Sequence, residues 1–482
     1  MAILNGLKPE KVFHYFEEIS SIPRASLLTK EIGDYLVSFA RERNLDCRRD
    51  EAGNVIIHKG ASAGYETAEP VILQGHMDMV AVKDEGVEKD MLKEGLDLEV
   101  NGDCISAKGT SLGGDDGIAL ACALAILDDD SIPHPPLEVV FTADEEIGML
   151  GATMIDTSDL RGCMLLNMDS EEEGVITVSC AGGATVLCFL PYETEDLESA
   201  ALQFRISGLS GGHSGTGIHK RSANANILLS YLLSGLNDTM GIRLISMNGG
   251  EADNAIAVSA EAYIALEKEN IAAAESYLRD VFAGRQEKYR ETDPDMRLEI
   301  KAEETRKRSV LTASSTRKAV LMLRFAPNGI SRMNPEIPDL VQTSSNFGVL
   351  QTREDEVELL ISVRSSVEQE KKELCEGIRL AMESVGAGVE INGDYPGWAY
   401  RPESKLRDVM CGVYRELFGE EPRVKGIHAG LECGLFTSKI PELDAVSVGP
   451  QIDNIHSTKE VLSISSVQRF WELLLGTLRE LR

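Results

Sequence analysis

Short apolar segments alternate with helical segments through the first third of the chain, and this alternation limits the folds open to it. Strands separated by helices usually form a largely parallel sheet with both faces covered. We therefore predict an α/β fold, a mostly parallel sheet sandwiched by helices. The predicted strands are NVIIHKG, PVILQGH, LEVVFTADEEIG and MLLNMDSEEEG, and the predicted helices are EKVFHYFEEISSI, TKEIGDYLVSFARERN and DGIALACALAILDDD.

The middle of the chain has a different pattern and predicts a second domain. ALQFRISGLS, NAIAVSAEAYIALE, TRKAVLMLRFAP and EVELLISVRSS alternate apolar and polar residues, which is typical of half-exposed antiparallel strands. Two amphipathic helices, ANANILLSYLLSGL and NIAAAESYLRDVFAGRQEKYRE, lie between them. Strands and helices of the first type return towards the C-terminus. We predict an α+β domain at 184–392, inserted between two parts of the first domain at 1–183 and 393–482.

Composition excludes several classes of partner. The 48 basic and 79 acidic residues give a formal charge of −31, whereas nucleic acid and anionic membranes both favour basic patches. No apolar run approaches the roughly 20 residues of a membrane span, and the N-terminus lacks the features of a signal peptide. The nine cysteines form no CxxC pair, which indicates reduced thiols. We expect a cytoplasmic protein that binds neither nucleic acid nor membranes.

Acidic residues and histidines follow several of the predicted strands. A parallel sheet brings the carboxyl ends of its strands to one edge, so these side chains are expected to lie close together. Carboxylates gathered there would repel one another unless they were protonated or neutralised by cations. The residues are His76 and Asp78 after PVILQG, Asp115 and Asp116 in GGDDG, Glu145 and Glu146 in FTADEEIG, Asp169 in LLNMDSEEEG, and His456 in IDNIHSTKE.

Each of these residues also has an ordinary structural explanation. Asp115 or Asp116 can cap the helix that follows, the two adjacent glutamates can belong to a solvated loop, and His456 can be a surface histidine. Their convergence on one edge of the sheet favours metal binding instead. Carboxylates with two imidazoles suit zinc, manganese or cobalt, and the absence of clustered cysteines excludes a thiolate site.

Three carboxylates and two histidines are sufficient for two cations about 3.5–4 Å apart that share a bridging carboxylate. Such a pair polarises a carbonyl group and lowers the pKa of a water, while a glutamate outside the ligand set moves the proton. Of the adjacent glutamates Glu145 and Glu146, one can bind a cation and the other can move the proton of water. The residues therefore predict a hydrolase with two metal ions.

The motifs also resemble a known family. HMD, GGDDG, DEEIG, MDSEE and IHS, in that order, are similar to those of the co-catalytic zinc peptidases that include glutamate carboxypeptidase and aminoacylase. LSGGHSGTGIHKRSANAN, SSNFG, HAGLECGLF and SVGPQIDNIHS narrow the resemblance to the aminoacyl-histidine dipeptidases. The resemblance covers essentially the whole chain, and it implies a zinc-peptidase-like first domain with the inserted α+β domain as a lid.

The resemblance implies a role for each residue of the predicted metal site. His76, Asp115 and Asp169 would hold one cation, while Asp115, as the bridge, would hold the other with Glu146 and His456. Asp78 would orient His76, and Glu145 would be the general base. The family commonly has GADNG where this chain has GGDDG, so Asp116 replaces the usual asparagine, which leaves the choice of Asp115 over Asp116 to be tested.

In the inserted domain, His213 of GGHSG matches the lid histidine of the family and is expected to stabilise the oxyanion. Asn346 and Arg364 are predicted to bind the backbone and the carboxylate of a dipeptide. His428 and Glu432 of HAGLECG are expected in a loop at the rim of the site, without a defined role.

The predicted activity is the hydrolysis of small unblocked dipeptides, Xaa-His among them, with two zinc ions or with manganese or cobalt. An N-acyl amino acid deacylase or another aminopeptidase would use the same metals with different pocket walls. The alternative from another class is an acidic protein that binds cations or a partner without catalysis, although calcium prefers all-oxygen ligands. No GxSxG motif supports a serine hydrolase. Whether the chain acts as a homodimer is left open.

Overall fold

The computed structural model describes residues 3–482, and the chain divides into two compact units. The first unit contains the residues up to Ser179, Tyr400–Gly426 and Leu431–Arg482, and the second contains Cys180–Ala399 and Ile427–Gly430. The predicted domain limits at 184 and 392 both lie inside the second unit. The short segment Ile427–Gly430 also belongs to this unit, and no sequence pattern predicted this.

The first part of the chain alternates strands and helices. Its elements are α1 (Glu10–Ser20), α2 (Lys30–Glu42), β1 (Asp46–Arg49), β2 (Val55–Lys59), β3 (Val71–His76), β4 (Leu98–Asn101), β5 (Cys104–Ala107), α3 (Gly114–Leu127), β6 (Leu137–Thr142), α4 (Leu150–Met154), β7 (Met164–Asn167) and β8 (Val175–Cys180).

The middle part forms long strands with four helices. Its elements are β9 (Gly182–Pro191), β10 (Thr194–Ser207), α5 (Ala225–Met240), β11 (Arg243–Gly249), β12 (Ala260–Leu266), α6 (Ile271–Lys288), β13 (Arg297–Leu311), α7 (Ala313–Phe325), β14 (Gly329–Met333), β15 (Val341–Thr352), β16 (Glu356–Ser365), α8 (Glu368–Glu383) and β17 (Gly388–Tyr395). Two 3-10 turns, Ile218–Lys220 and Lys268–Asn270, lie between these elements.

The last part returns to the first unit. Its elements are α9 (Lys405–Phe418), β18 (Arg423–Ile427), α10 (Glu432–Lys439), β19 (Asp444–Ser447), β20 (Ile452–Asp453), β21 (Val461–Ser463) and α11 (Ile464–Glu480).

The main sheet of the first unit has eight strands in the order β1-β2-β6-β3-β7-β19-β8-β18. The four neighbours β6, β3, β7 and β19 are parallel, whereas β2 is antiparallel to β6 and β8 is antiparallel to β19. The strands β3, β6 and β7 are buried at every residue, because helices cover the sheet and α3 packs on β3. The α/β prediction is confirmed, and parallel pairing joins the four central strands.

A small second sheet brings the C-terminal segment beside the first part of this unit. Its order is β20-β21-β5-β4, and β21 pairs with β5 through Leu462 and Ile105. The residues between β20 and β21 include His456, which is how a histidine near the C-terminus reaches the edge of the main sheet.

The second unit has one antiparallel sheet in the order β13-β10-β12-β11-β15-β16-β9-β17, with β14 paired to one end of β15. Its core lies between the sheet and the helices. Phe204 and Phe347 from the strands and Leu229 and Leu236 from α5 are fully or almost fully buried there. The predicted α+β character of the inserted domain is confirmed.

One predicted strand is wrong, because TRKAVLMLRFAP forms the helix α7. The buried residues of this segment include Thr316, Ala319, Val320 and Leu323, which recur at the three- and four-residue spacing of a helix face rather than at alternate positions. The helix is also capped, since the Thr312 side chain accepts a hydrogen bond from the Ser315 N–H. The spacing of the buried residues and the N-terminal cap favour a helix more strongly than the apparent alternation of apolar and polar residues favours a strand.

Within residues 3–482, no helix is both long and apolar enough to cross a membrane. The structure describes all nine cysteines and joins none of them in a disulfide.

Candidate metal centre

Parallel pairing in the main sheet brings three strand ends together. His76, the last residue of β3, lies opposite Thr142, the last residue of β6, and Gln74 lies opposite Asn167 at the end of β7. The residues that follow these strands therefore emerge along one edge of the sheet. They include the pair Glu145 and Glu146 after β6, and Asp169 after β7.

The carboxylate of Asp115 lies between two imidazoles. Its Oδ1 is 3.0 Å from His76 Nε2, and its Oδ2 is 3.1 Å from His456 Nε2. Asp115 itself lies just before the regular part of α3, where its backbone is not helical. One carboxylate that presents an oxygen to each histidine has the arrangement required of a bridging ligand.

The other predicted ligands surround this pair. Glu146 Oε2 is 2.9 Å from His456 Nε2, and Asp169 Oδ1 is 3.7 Å from His76 Nε2. The second carboxylate oxygen of Glu146, Oε1, is buried and has no hydrogen-bond donor in the described part of the chain. A buried carboxylate oxygen without a donor is costly, and a cation would satisfy it.

Two groups of side chains have the geometry to hold a cation. In each group the ligand atoms lie within 4.8 Å of one another; the groups are His76 with Asp116 and Asp169, and His76 with Asp115 and Glu146. Imidazole nitrogen with carboxylate oxygen is a donor set typical of zinc and similar divalent ions. The five predicted ligands come together, and their chemistry fits two divalent cations.

Asp78 supports both sides of the site. Its backbone carbonyl is 3.1 Å from His76 Nδ1, and its carboxylate is 3.5 Å from the same nitrogen. Its carboxylate also accepts the backbone N–H groups of Glu145 and Glu146 and the hydroxyl of Ser26. This fully buried aspartate therefore contacts both the His76 ring and the backbone of the two glutamates, and contacts of this kind are the ones that orient metal-bound histidines.

The charges of the site shift the pKa values of its members. Burial would lower the pKa of His76, but Asp115, Asp78 and Asp169 raise it well above its usual value. Burial raises the pKa of Asp169 well above its usual value, with the charges of Asp116 and Asp115 adding to the effect. Such shifts follow when acids are crowded away from water, and cations would relieve them.

Asp116 differs from Asp115 in its surroundings. Asp116 Oδ2 accepts the backbone N–H of His76, and burial raises the pKa of Asp116 well above its usual value. The peptide bond between the two aspartates is cis. Asp115 lies between the two histidines, whereas Asp116 forms a group with His76 and Asp169.

The side chain of Glu145, the other residue of the adjacent pair, takes part in none of the side-chain contacts described above. Burial raises the pKa of Glu145 to about 8, and the charges of Glu432 and Glu146 add to this effect. A carboxylate with a raised pKa beside a metal centre has the property expected of a general base.

Comparison with known proteins identifies the family. Residues 72–480 match the model of peptidase family M20/M25/M40. This chain belongs to that family.

Two relatives are similar to the whole M20 chain. The cytosol non-specific dipeptidase of Escherichia coli (strain K12) is 36% identical over 483 residues, which cover 100% of this chain and 99% of the relative. The crystal structure of an aminoacylhistidine dipeptidase from Vibrio alginolyticus aligns with a TM-score of 0.94 and 34% identity, over 98% of this chain and 97% of the other. The aminopeptidase PepT of Bacillus cereus shares the fold alone, at 16% identity and a TM-score of 0.59.

The M20 chain places the predicted substrate residues in its second unit. Arg364 is buried and donates to the Tyr395 hydroxyl at 3.1 Å. Asn346 is also buried, and its side-chain N–H groups donate to the backbone carbonyls of Asp253 and Ala255. The two predicted residues lie on paired neighbouring strands, β15 and β16.

His213 of the same unit has a defined tautomer. Its Nδ1 accepts backbone N–H groups from Gly215 and Thr216, so the proton of the neutral ring lies on Nε2. Burial lowers the pKa of His213, and the charge of Arg364 adds to this effect. His428 lies in the same unit, where its Nε2 is 2.7 Å from Ser344 Oγ and burial lowers its pKa to about 3.

The expectation that Glu432 lies in a loop at the rim of the site is wrong, because Glu432 begins the helix α10 and is completely buried in the first unit. Its carboxylate accepts from Gln74 at 2.5 Å and from Thr142 at 2.7 Å, and Asn167 donates to Gln74. Burial raises the pKa of Glu432 to about 7. The sequence contains a signal of this buried group. Gln74 is a polar residue inside the apolar strand PVILQGH, and such a residue indicates a buried polar partner beside the sheet.

Proposed function

We propose that this M20 chain is a metal-dependent dipeptidase that cleaves small unblocked dipeptides, Xaa-His dipeptides among them. The single observation that carries the proposal is the Asp115 carboxylate, which lies within 3.1 Å of both His76 and His456. A carboxylate shared between two ligand sets is the feature that co-catalytic metal pairs require. The names of the two full-length relatives, a dipeptidase and an aminoacylhistidine dipeptidase, support the substrate class.

The proposed cofactors are two divalent cations, most simply zinc, with manganese and cobalt as the other candidates. His76, Asp115 and Asp169 would hold one ion, and Asp115, Glu146 and His456 would hold the other. When bound, the ions supply Lewis acidity, which polarises the scissile carbonyl group and makes water more acidic.

Glu145 is the proposed general base. It follows β6 at the same sheet edge as the ligands, and the Asp78 carboxylate accepts its backbone N–H at 2.9 Å. In the proposed reaction its carboxylate takes a proton from the attacking water and then delivers that proton to the nitrogen of the leaving amino acid. The proton balance of hydrolysis is then complete without a further acid.

His213 and Arg364 are the proposed substrate-binding residues of the second unit. The neutral His213 ring carries its proton on Nε2, which suits it to donate a hydrogen bond to an oxyanion. Arg364 can pair with a carboxylate through two parallel hydrogen bonds. Asn346 remains a predicted ligand of the dipeptide backbone, although its amide N–H groups are already donated to two carbonyls.

Chelation followed by metal return tests the proposal. The protein is treated with a chelator, and release of histidine from a Xaa-His dipeptide is measured after addition of Zn²⁺, Mn²⁺ or Co²⁺. We expect activity to disappear and then to return with at least one of these ions. A protein that binds the ions but cleaves no dipeptide with any of them would instead favour a non-catalytic cation-binding role.

A second assay separates the proposal from related activities. The same metal-loaded protein is given an N-acetylated amino acid and a dipeptide with a free amino terminus. A dipeptidase cleaves the second compound faster, whereas faster cleavage of the first identifies an N-acyl amino acid deacylase.

We also infer a cytoplasmic location, which is supported by the name of the relative from E. coli as a cytosol enzyme.

A further inference from the structure

Two buried residues that are not themselves predicted metal ligands hold the loop that carries Asp115. They are Arg24, near the N-terminus, and Glu460, in the C-terminal segment. Their side chains are 1% and 2% exposed. Both contact the backbone of residues 112–115.

Glu460 accepts hydrogen bonds from four consecutive backbone N–H groups. Its Oε2 lies 2.8 Å from the nitrogen of Leu112 and 3.0 Å from that of Gly113. Its Oε1 lies 2.8 Å from the nitrogen of Gly114 and 3.3 Å from that of Asp115. These N–H groups stand at the start of α3, where a helix has no internal acceptors for them and attracts negative charge.

Helix α3 has no capping side chain of its own. Its N-cap position is Gly113, which has a left-handed φ of 62° and makes no side-chain hydrogen bond. In most helices an aspartate, asparagine, serine or threonine at this point would accept the first N–H groups. Glu460 takes over this task from a distant part of the chain. The carboxylate of Asp115 is thereby free to face His76 and His456 rather than its own helix.

Arg24 fixes the opposite side of the same loop. Its guanidinium group donates to the carbonyl oxygens of Met77 and Asp78, at 3.1 and 3.0 Å, and to that of Gly113. The first two carbonyls follow His76, and the third precedes Asp115. A single planar cation therefore ties the segment of one histidine ligand to the loop of the bridging carboxylate. The side chain packs so closely that a Cβ on Gly113 would lie 2.5 Å from Arg24 Nη2.

We propose that Glu460 and Arg24 are positioning residues, which cap α3 and join its first turn to the His76 segment so that Asp115 is held as the bridge between two cations. This inference rests on the proposed function, because it assumes that Asp115 is a metal ligand. Neither residue is assigned contact with the substrate or with the reacting atoms.

Glu460→Gln tests the proposal most directly. The variant keeps the length of the side chain, but its amide nitrogen can no longer accept two of the four N–H groups. Outer contacts of this kind typically change metal affinity about 10- to 100-fold. We expect Zn²⁺ affinity, measured by competition with a chromophoric chelator, to fall within that range. At saturating Zn²⁺ we expect the KM for the dipeptide to remain unchanged.

Glu138→Gln is the matched control. Glu138 is also buried, and its carboxylate accepts the backbone N–H groups of Arg161 and Gly162 at 2.8–3.0 Å. It lies near the beginning of β6, at the end opposite Thr142. This variant should lower the unfolding temperature without weakening Zn²⁺ binding. Wild-type Zn²⁺ affinity in Glu460→Gln, or an equal loss in both variants, would overturn the proposal.

Arg24→Lys provides a second variant if Glu460→Gln does not fold. Lysine keeps the charge but lacks the planar group that spans three carbonyl oxygens, so we expect a similar loss of Zn²⁺ affinity. A folded Arg24→Lys protein with wild-type affinity would contradict the positioning role. Failure of the proposed function would give a different result from failure of the positioning role, because the wild-type protein would then cleave no dipeptide with any metal.

Discussion

Two adjacent glutamates of this site differ in what surrounds their carboxylates. Glu146 is 2.9 Å from His456 and its side chain is 6% exposed. Glu145 faces no histidine at such a distance in the described part of the chain, and burial raises its pKa to about 8. One residue therefore has the position of a ligand, and its neighbour has the property of a base. The backbone of both is held by Asp78.

Replacement of Glu145 by glutamine should abolish most turnover without loss of metal. An amide cannot accept the proton of water, and loss of a general base typically costs about 10²-fold or more in kcat. The measurement is kcat for a dipeptide together with the metal content of the purified protein. The matched control is Glu146→Ala, which should lower the metal content instead. Near-normal kcat in Glu145→Gln would remove Glu145 from this role.

At the level of single residues, the sequence predicted the metal-site candidates that follow strands, because a parallel sheet places its strand ends together. It did not indicate Arg24 or Glu460, since their partners lie far along the chain and include backbone atoms, which leave no mark on residue type. A partial signal exists in GGDDG. A helix whose N-cap is glycine needs an acceptor from elsewhere, and the sequence alone favoured Asp115 or Asp116 for that task.

Among the elements, β3 and α3 pack tightly against each other at Gly75. A Cβ at this position would lie 2.6 Å from Asp116 Oδ2 and 2.7 Å from the Cβ of Ala119. The strand that ends in His76 and the helix that begins near Asp115 are thus packed with no room for a methyl group. The distance between two ligand-bearing elements depends on the absence of a side chain.

Gly75→Ala should therefore destabilise the protein, by about 1–3 kcal/mol for an overpacked site. It should also weaken metal binding, because the added methyl group displaces α3 from β3. Urea unfolding and Zn²⁺ titration measure the two effects. Gly412→Ala in α9 is the control, since a Cβ there meets nothing within 4 Å and alanine favours helices by up to about 1 kcal/mol. Equal stability of Gly75→Ala and wild type would contradict the packing.

Element type could be predicted wherever periodicity was clear, and the exception is informative. The α7 segment contains β-type residues in apparent alternation, but its buried positions follow a helix face. Which face of a segment is buried depends on the helices beside it, here α5 and α8. The buried face is determined by tertiary packing, so a local sequence pattern cannot predict it.

At the scale of the whole molecule, the acidic centre makes stability depend on pH when metal is removed. The pKa of Glu145 is raised to about 8 and that of His456 to about 10. In both cases the folded protein keeps a proton that the unfolded chain releases at lower pH. Such groups contribute stability that is lost as pH rises towards the folded-state pKa.

We therefore expect chelator-treated protein to lose stability between about pH 7 and 8.5. Bound cations should remove this dependence, because they take the place of the retained protons. Histidines with lowered pKa values, such as His428, do not contribute in this range, since both states are neutral there. Thermal unfolding across the range, with and without Zn²⁺, makes the comparison. Metal-free protein whose unfolding temperature is constant or rises would show that the sign is wrong.

His456 and Glu460 both come from the segment between β20 and the end of the chain. His456 lies 341 positions after Asp115 along the chain, so a nascent polypeptide contains His76, Asp115 and Asp169 well before its second histidine is translated. Folding generally proceeds from the N-terminal side during synthesis. The start of α3 therefore lacks both its carboxylate cap and its partner imidazole during the early part of synthesis, and these two contacts form together when the later segment arrives.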